Sequence, residues 1–385
     1  MDPSFIIMWL GFLLAGYSVV GNDSIQTLGT FLSSNEERPW YVLWLFAGSI
    51  LAFTLVYGWF QYGGDVSYGR LEKYAFIEGM TWPYLLPPLV LMLLTRTGIP
   101  VSTSFLILTF FKPKGLMDMT MKSLLGYVLA FALAILVWQV VTRLLDRRFI
   151  NNPITPSEKT TWTILQWSST GFLWGQWLIQ DFANIYVYLP RSLSGGEITI
   201  TLVILLALLG YIFYSRGGSI QEIVKVKTNT VDIRSATIID FLYALVLLFF
   251  KQYSNVPMST TWVFLGLLGG REIAIRYLLN KEQTQQTLST SLKSLSLLLN
   301  IAIIAMIGVV VYLQKDVSNA IILGFAGLIL ARSIAFFFES KQLNFSLKNT
   351  FRMVGMDLGK VTFGLVISIA LVYIMKILTG VGGGF

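Results

Sequence analysis

Two short phrases occur twice in this chain, in the same order and at nearly the same separation. Gly21-Asn22-Asp23 is followed by Pro100-Val101-Ser102-Thr103-Ser104, with 77 residues from Asp23 to Pro100. Gln180-Asp181-Phe182-Ala183-Asn184 is followed by Pro257-Met258-Ser259-Thr260-Thr261, with 76 residues from Asp181 to Pro257. All four phrases lie in or beside long apolar runs. Paired polar phrases inside apolar segments are the pattern of a membrane carrier built from two related halves.

Composition fixes the solvent. Apolar residues make up 55% of the chain, and only 12% are charged. Mean hydropathy is +0.69. A soluble domain carries roughly twice that charge, so this chain must present much of its surface to lipid. With neither cysteine nor histidine, thiolate and imidazole metal sites, disulfides and Cys or Ser–His nucleophiles are excluded. Chemistry is left to carboxylates, hydroxyls, amides, backbone dipoles, Lys and Arg. The net charge of +8 fits loops facing anionic lipid. No basic stripe with interleaved aromatics appears, so nucleic acid is set aside. Met1-Asp2-Pro3 leads directly into an apolar run, which predicts a retained first span without a cleaved signal.

Apolar segments long enough to cross about 30 Å of hydrocarbon, roughly 20 residues each, fall at about 5–32, 40–62, 119–142, 162–189, 196–214, 286–313, 317–338 and 353–379. Two more, at 76–111 and 235–277, are interrupted by Thr97-Gly98-Ile99-Pro100 and Ser254-Asn255-Val256-Pro257. Proline removes a backbone donor and disfavours helix before it. Both segments therefore read as helical hairpins with tips inside the protein, where irregular backbone must be buried or line water.

If each hairpin returns to the side it left, the loops near 34–39, 143–161, 215–234, 271–285 and 340–352 share a face. They hold about 15 basic residues against about 7 opposite, which makes that face cytoplasmic and both termini extracytoplasmic. Three crossings then separate matching points of the halves, so the second copy is inverted. The expected organisation is all-α and polytopic, with broken helices. Residues 1–150 form the first inverted repeat and 151–161 a linker, and 162–385 form the second repeat with extra C-terminal spans. Plasma membrane is the default location, and the large lipid-facing surface suggests a possible homodimer.

A Pro-x-Ser-Thr phrase places hydroxyls at the cap of a helix that begins just after the proline. The first helical turn carries unpaired N–H groups and partial positive charge, a seat for an anion. One copy alone would read as an ordinary cap; two at matched positions point to Ser102, Thr103, Ser104, Ser259, Thr260 and Thr261 as oxyanion-binding groups. Asp23 and Asp181 sit in apolar spans, where a carboxylate costs several kcal/mol unless paired or bound to a cation. They are candidates for a coupling-ion site, for Na⁺ or for protons. An intramembrane hydrolase would need a nucleophile that the sequence does not offer, so the chain is not read as an enzyme. Glu78, Asp240, Lys251 and Arg271-Glu272 read as structural ion pairs around the hairpins. Arg191, after Pro190, reads as an interfacial anchor or an attractor of anions.

These phrases resemble the inorganic phosphate transporter family called PiT. In that family each half carries a Gly-x-Asn-Asp-type signature and a Pro-Val-Ser-Thr-Thr-His turn. Gly21-Asn22-Asp23 with Gly29-Thr30 matches the first signature, and Asp181-Phe182-Ala183-Asn184 matches the second in part. Pro100-Val101-Ser102-Thr103 and Val256-Pro257-Met258-Ser259-Thr260-Thr261 match the turns. The resemblance implies a cation-coupled anion symporter working by alternating access. It implies Asp23, Asp181 and Asn184 as ion-site candidates with Asn22 and Gln180 beside them, and Gln26 and Asn184 as amides facing the substrate. Gln26 stands where the family has Asn, Gln180 replaces Asn, Val187-Tyr188 replaces Gly-Pro, and Phe105 and Trp262 take the two His positions. Without those His residues an imidazole proton path is closed, which favours Na⁺ over H⁺. Phosphate is the first expectation for the cargo, with sulfate or bicarbonate next. A channel or receptor that has kept the fold is the alternative class.

Overall fold

A computed structural model describes residues 2–96, 102–113, 116–141, 154–215, 233–253 and 259–270, together with 355–356, 359, 362–371 and 373–374. Every regular element among them is helical, as expected of an all-α polytopic membrane protein. The spans expected at 286–313 and 317–338, Arg271-Glu272, the side chain of Lys251 and both proline-led tips lie outside the described residues.

Helix α1 (Pro3–Ser34) starts where the Asp2 carboxylate accepts from Ser4 N–H at 3.0 Å, with proline in the first turn. It stops where Asn35 folds its amide back onto the Phe31 carbonyl at 2.9 Å. Its 32 residues span about 48 Å. α2 (Trp40–Gln61) follows Pro39. A 3₁₀ turn, Trp82–Leu85, leads into α3 (Leu86–Arg96), whose Pro87 and Pro88 sit in the first turn, where no helical N–H is required. Then come α4 (Thr103–Phe111) and α5 (Leu116–Val141). α6 (Pro156–Tyr186) and α7 (Gly195–Tyr214) each open on a capping box, Thr155 with Glu158 and Ser194 with Glu197. Each satisfies two end groups reciprocally. α8 (Ile233–Tyr253), α9 (Thr260–Gly270) and α10 (Thr362–Leu371) complete the described set.

Among the described residues, the first 22 residues of α1 and the whole of α2 and α7 are long and apolar enough to cross a membrane. Phe53 and Phe60 on α2 are 71% and 73% exposed, acceptable only with lipid as solvent. The opposite faces pack tightly. α8 packs most extensively on α6, α1 on α6, and α2 on α7. Indoles tie helices through carbonyls: buried Trp174 Nε1 donates to Ala47 O at 2.9 Å and half-buried Trp44 Nε1 to Leu206 O at 3.0 Å.

The chain divides into two compact units. One comprises Met1–Gly126, Thr155–Phe264 and Leu358–Phe385; the other comprises Tyr127–Ile154 and Leu265–Asp357. Within the second, α9 runs against α5 so closely that a Cβ on Gly266 would stand 2.5 Å from the Tyr127 carbonyl oxygen. Small residues allow that approach between membrane helices.

Three expectations need correction. The expected broken helices are not found at the acidic phrases: both lie in unbroken helix. Neither phrase contains proline, and the hydroxyls of Ser24 and Thr27 bond back to Val20 O and Asp23 O instead of opening the ladder. The first hairpin is shorter than 76–111, because residues 76–81 run in turns with Gly79 at φ +74° and Glu78 exposed. Residues 156–161 are not linker but the first turns of α6, started by the Thr155 cap.

Candidate functional site

The first compact unit brings together the described residues of all four repeated phrases. α1 presents Asn22, Asp23 and Gln26, and α6 presents Gln180, Asp181 and Asn184, every one of them buried. α4 and α9 bring their N-terminal residues to the same place. Ser102 caps α4 by accepting from Phe105 N–H at 3.3 Å, and Ser259 caps α9 by accepting from Trp262 N–H at 3.3 Å. The two caps are the same device used twice. The Ser259 N–H is itself held by Ser123 Oγ of α5 at 2.9 Å. The Phe105 and Trp262 rings meet with centroids 5.8 Å apart, so the residues at the two expected His positions join the two capped helix starts by contact.

The residue after each cap addresses an aspartate. Thr103 donates its hydroxyl to Asp23 Oδ2 at 2.7 Å, while Asn22 and Gln26 amides donate to Oδ1. Thr260 stands beside Asp181. Asn184 crosses between the copies, donating to Thr103 Oγ1 at 3.0 Å and to Asp181 Oδ1 at 2.5 Å. The two carboxylates lie within reach of each other's field. Among the described residues, Asp181 Oδ2 and Asn184 Oδ1 in this buried cluster have no hydrogen-bond donor. Buried acceptors are rarely left so in folded proteins. Carboxylate and amide oxygens with unspent lone pairs are the ligands of a hard cation.

Gln180 points elsewhere, reaching the Leu247 carbonyl at 3.5 Å. Ser104 and Thr261, the third residues of the two caps, are buried beside the others.

Three neighbouring charges resolve differently from expectation. Asp240, 1% exposed, has no ion-pair partner among the described residues. It accepts from the hydroxyls of Thr30 on α1 and Thr170 on α6, one at each oxygen. Arg191 is a clamp rather than an attractor of anions. It donates to Tyr74, Tyr186, Val187, Leu189 and Ala75 carbonyls, sealing the 62–81 segment onto the C-terminal end of α6. Glu78 is simply exposed. Sequence reasoning missed Tyr243, whose buried hydroxyl donates to Thr260 O at 3.2 Å, and Arg70. Tyr243 lies 14 residues before Pro257, one more aromatic in an apolar helix, with nothing to mark it.

No family model matches the chain, and no curated protein matches it. Among solved structures, one titled "The sodium-dependent phosphate transporter" is similar in fold. Its TM-score is 0.52 at 13% identity, over 88% of this chain and 99% of that one. The chain therefore has the fold of an all-α polytopic membrane transporter.

Proposed function

We propose that this protein is a cation-coupled secondary carrier of an inorganic oxyanion, with Na⁺ as the coupling ion and phosphate as the first cargo. The observation that carries this reading is the convergence of both acidic phrases and both Ser-Thr caps in one buried cluster with unspent acceptor oxygens. The similarity in fold to a structure titled as a sodium-dependent phosphate transporter supports it.

The chemistry follows from the donors. A sodium ion takes oxygen from Asp181, Asn184 and Asp23, relieving the repulsion of two adjacent carboxylates. The oxyanion takes the N-terminal turns of α4 and α9 with their hydroxyls, where helix dipoles favour negative charge without a full counter-charge. Thr103 links the two events. While the cation is absent its hydroxyl is spent on Asp23; a cation on that carboxylate competes for the same oxygen and frees the hydroxyl for the anion. Coupling then has a residue and a direction. The two halves, 1–150 and 162–385, act as inverted repeats alternating around this site, with both termini extracytoplasmic in the plasma membrane and a homodimer as the assembly. Sulfate and bicarbonate are the competing cargoes.

Purified protein in sealed vesicles gives the test. Inward sodium should stimulate saturable phosphate uptake that unlabelled phosphate suppresses. Absence of sodium-stimulated uptake of phosphate, sulfate and bicarbonate alike would sink the reading. Non-saturable flux would assign a channel instead.

A further inference from the structure

Arg70 belongs to no phrase considered above. It lies in the non-helical segment between α2 and the 3₁₀ turn, and it is 4% exposed. The segment is built to turn it inward. Asp65 accepts from the N–H groups of Ser67 and Gly69 at 2.7 and 2.8 Å. Tyr68 is held at φ +57° and Gly69 at φ +76°, and the Tyr68 hydroxyl donates to Thr54 O at 2.5 Å. A left-handed conformation at a tyrosine is costly and persists only where the surroundings impose it.

The five-carbonyl clamp of Arg191 then fixes this segment against the C-terminal end of α6, within a turn of Asn184. Arg70 lies within electrostatic reach of Asp181. Yet no ion pair with N–O within 4.0 Å joins Arg70 to a carboxylate among the described residues, and its buried Nη1 has no hydrogen-bond partner.

The two arginines differ in what their donors do. Arg191 spends its guanidinium on carbonyls, as a structural arginine does. Arg70 is the more deeply buried and keeps donors unspent, which a folded interior tolerates badly. A guanidinium presents a planar fork that matches two oxygens of an oxyanion. Trp262 Nε1, in the first turn of α9, is another buried donor without a partner among the described residues, as is Trp9 Nε1 farther along α1. Unspent acceptors suit the cation; unspent donors suit the anion.

We propose that Arg70 is the fixed cationic residue that binds the transported oxyanion, its guanidinium fork completing a seat whose other walls are the two hydroxyl-capped helices. This rests on the carrier reading and adds to it the residue that sets anion affinity. A built-in positive charge also favours an anion over a neutral cargo.

The test uses the full-length protein in lipid nanodiscs, titrated calorimetrically with inorganic phosphate and with sulfate in saturating sodium chloride, and separately with sodium alone. Arg70→Gln should weaken phosphate binding about 10- to 100-fold, the range for a lost charged hydrogen bond, with half-saturation by sodium unchanged. Phosphate affinity equal to wild type would overturn the assignment. So would a loss that extra sodium fully restores, since Arg70 would then be only a counter-charge for Asp181. Should Arg70→Gln fail to fold, Arg70→Lys decides. A loss of about 3- to 10-fold at unchanged sodium response supports a bidentate fork, and unchanged affinity overturns it. If the wild-type protein binds none of phosphate, sulfate or bicarbonate in sodium, the carrier reading has failed and this inference fails with it.

Discussion

In the first copy of the repeated phrases, Thr103 donates to Asp23, and both oxygens of that carboxylate are met by donors. In the second copy, Thr260 stands beside Asp181, but Oδ2 of that carboxylate has no donor. The caps themselves are alike, each serine accepting from the N–H three residues on at 3.3 Å. The two copies thus share a scaffold and differ in saturation. A satisfied carboxylate takes a cation only by displacing a donor, as Thr103 would be displaced from Asp23, whereas an unsatisfied one is destabilised until a cation arrives. On the proposed carrier reading, the demand for a coupling ion is greatest at the second copy.

The comparison can be broken or sharpened by substitution. Asp181→Asn should have the largest effect, lowering apparent sodium affinity in vesicle uptake about 100-fold, or about 2.7 kcal/mol, because it removes charge where oxygen is unspent. Asp23→Asn should cost about 10-fold in the same assay, since an amide retains an acceptor for Thr103. Equal losses from the two variants would abolish the distinction between the copies. Ser259→Ala should raise the phosphate KM about 3- to 10-fold with sodium dependence intact, and should cost the cap about 1 kcal/mol of stability in a thermal melt. The smallest functional effect is expected of Asp240→Asn, whose carboxylate is held by Thr30 and Thr170. It should destabilise the fold by about 1–2 kcal/mol while leaving sodium half-saturation within about twofold. A large change in sodium response there would mean that saturation by hydroxyls does not mark a structural acid.

That third carboxylate shows where a linear reading stops. Asp240 was visible as a charge in an apolar helix, but its partners lie 210 and 70 positions away, and nothing local in the chain announces them. Spans were legible wherever an apolar run meets a strong boundary. Asp2-Pro3, Pro39 and the Ser194–Glu197 box place the starts of α1, α2 and α7 within two residues of expectation. The start of α6 was misplaced because its first turns are polar, although Thr155-Pro156-Ser157-Glu158 carries a capping box in plain sight. The site was legible in its repeated half, since duplication distinguishes a functional phrase from an ordinary cap. Arg70 was not, because it is positioned by left-handed turns at Tyr68 and Gly69 and by a clamp from Arg191, none of which has a periodic signature.

The ring contact between Phe105 and Trp262 has a spectroscopic use. An indole pressed against a benzyl ring at the junction of two half-length helices reports its own surroundings by emission. Separation of those helices would hydrate it and shift its fluorescence to longer wavelength, with no label attached. In a background where the other tryptophans are replaced by phenylalanine, the opening of the junction becomes a colour change that can be timed.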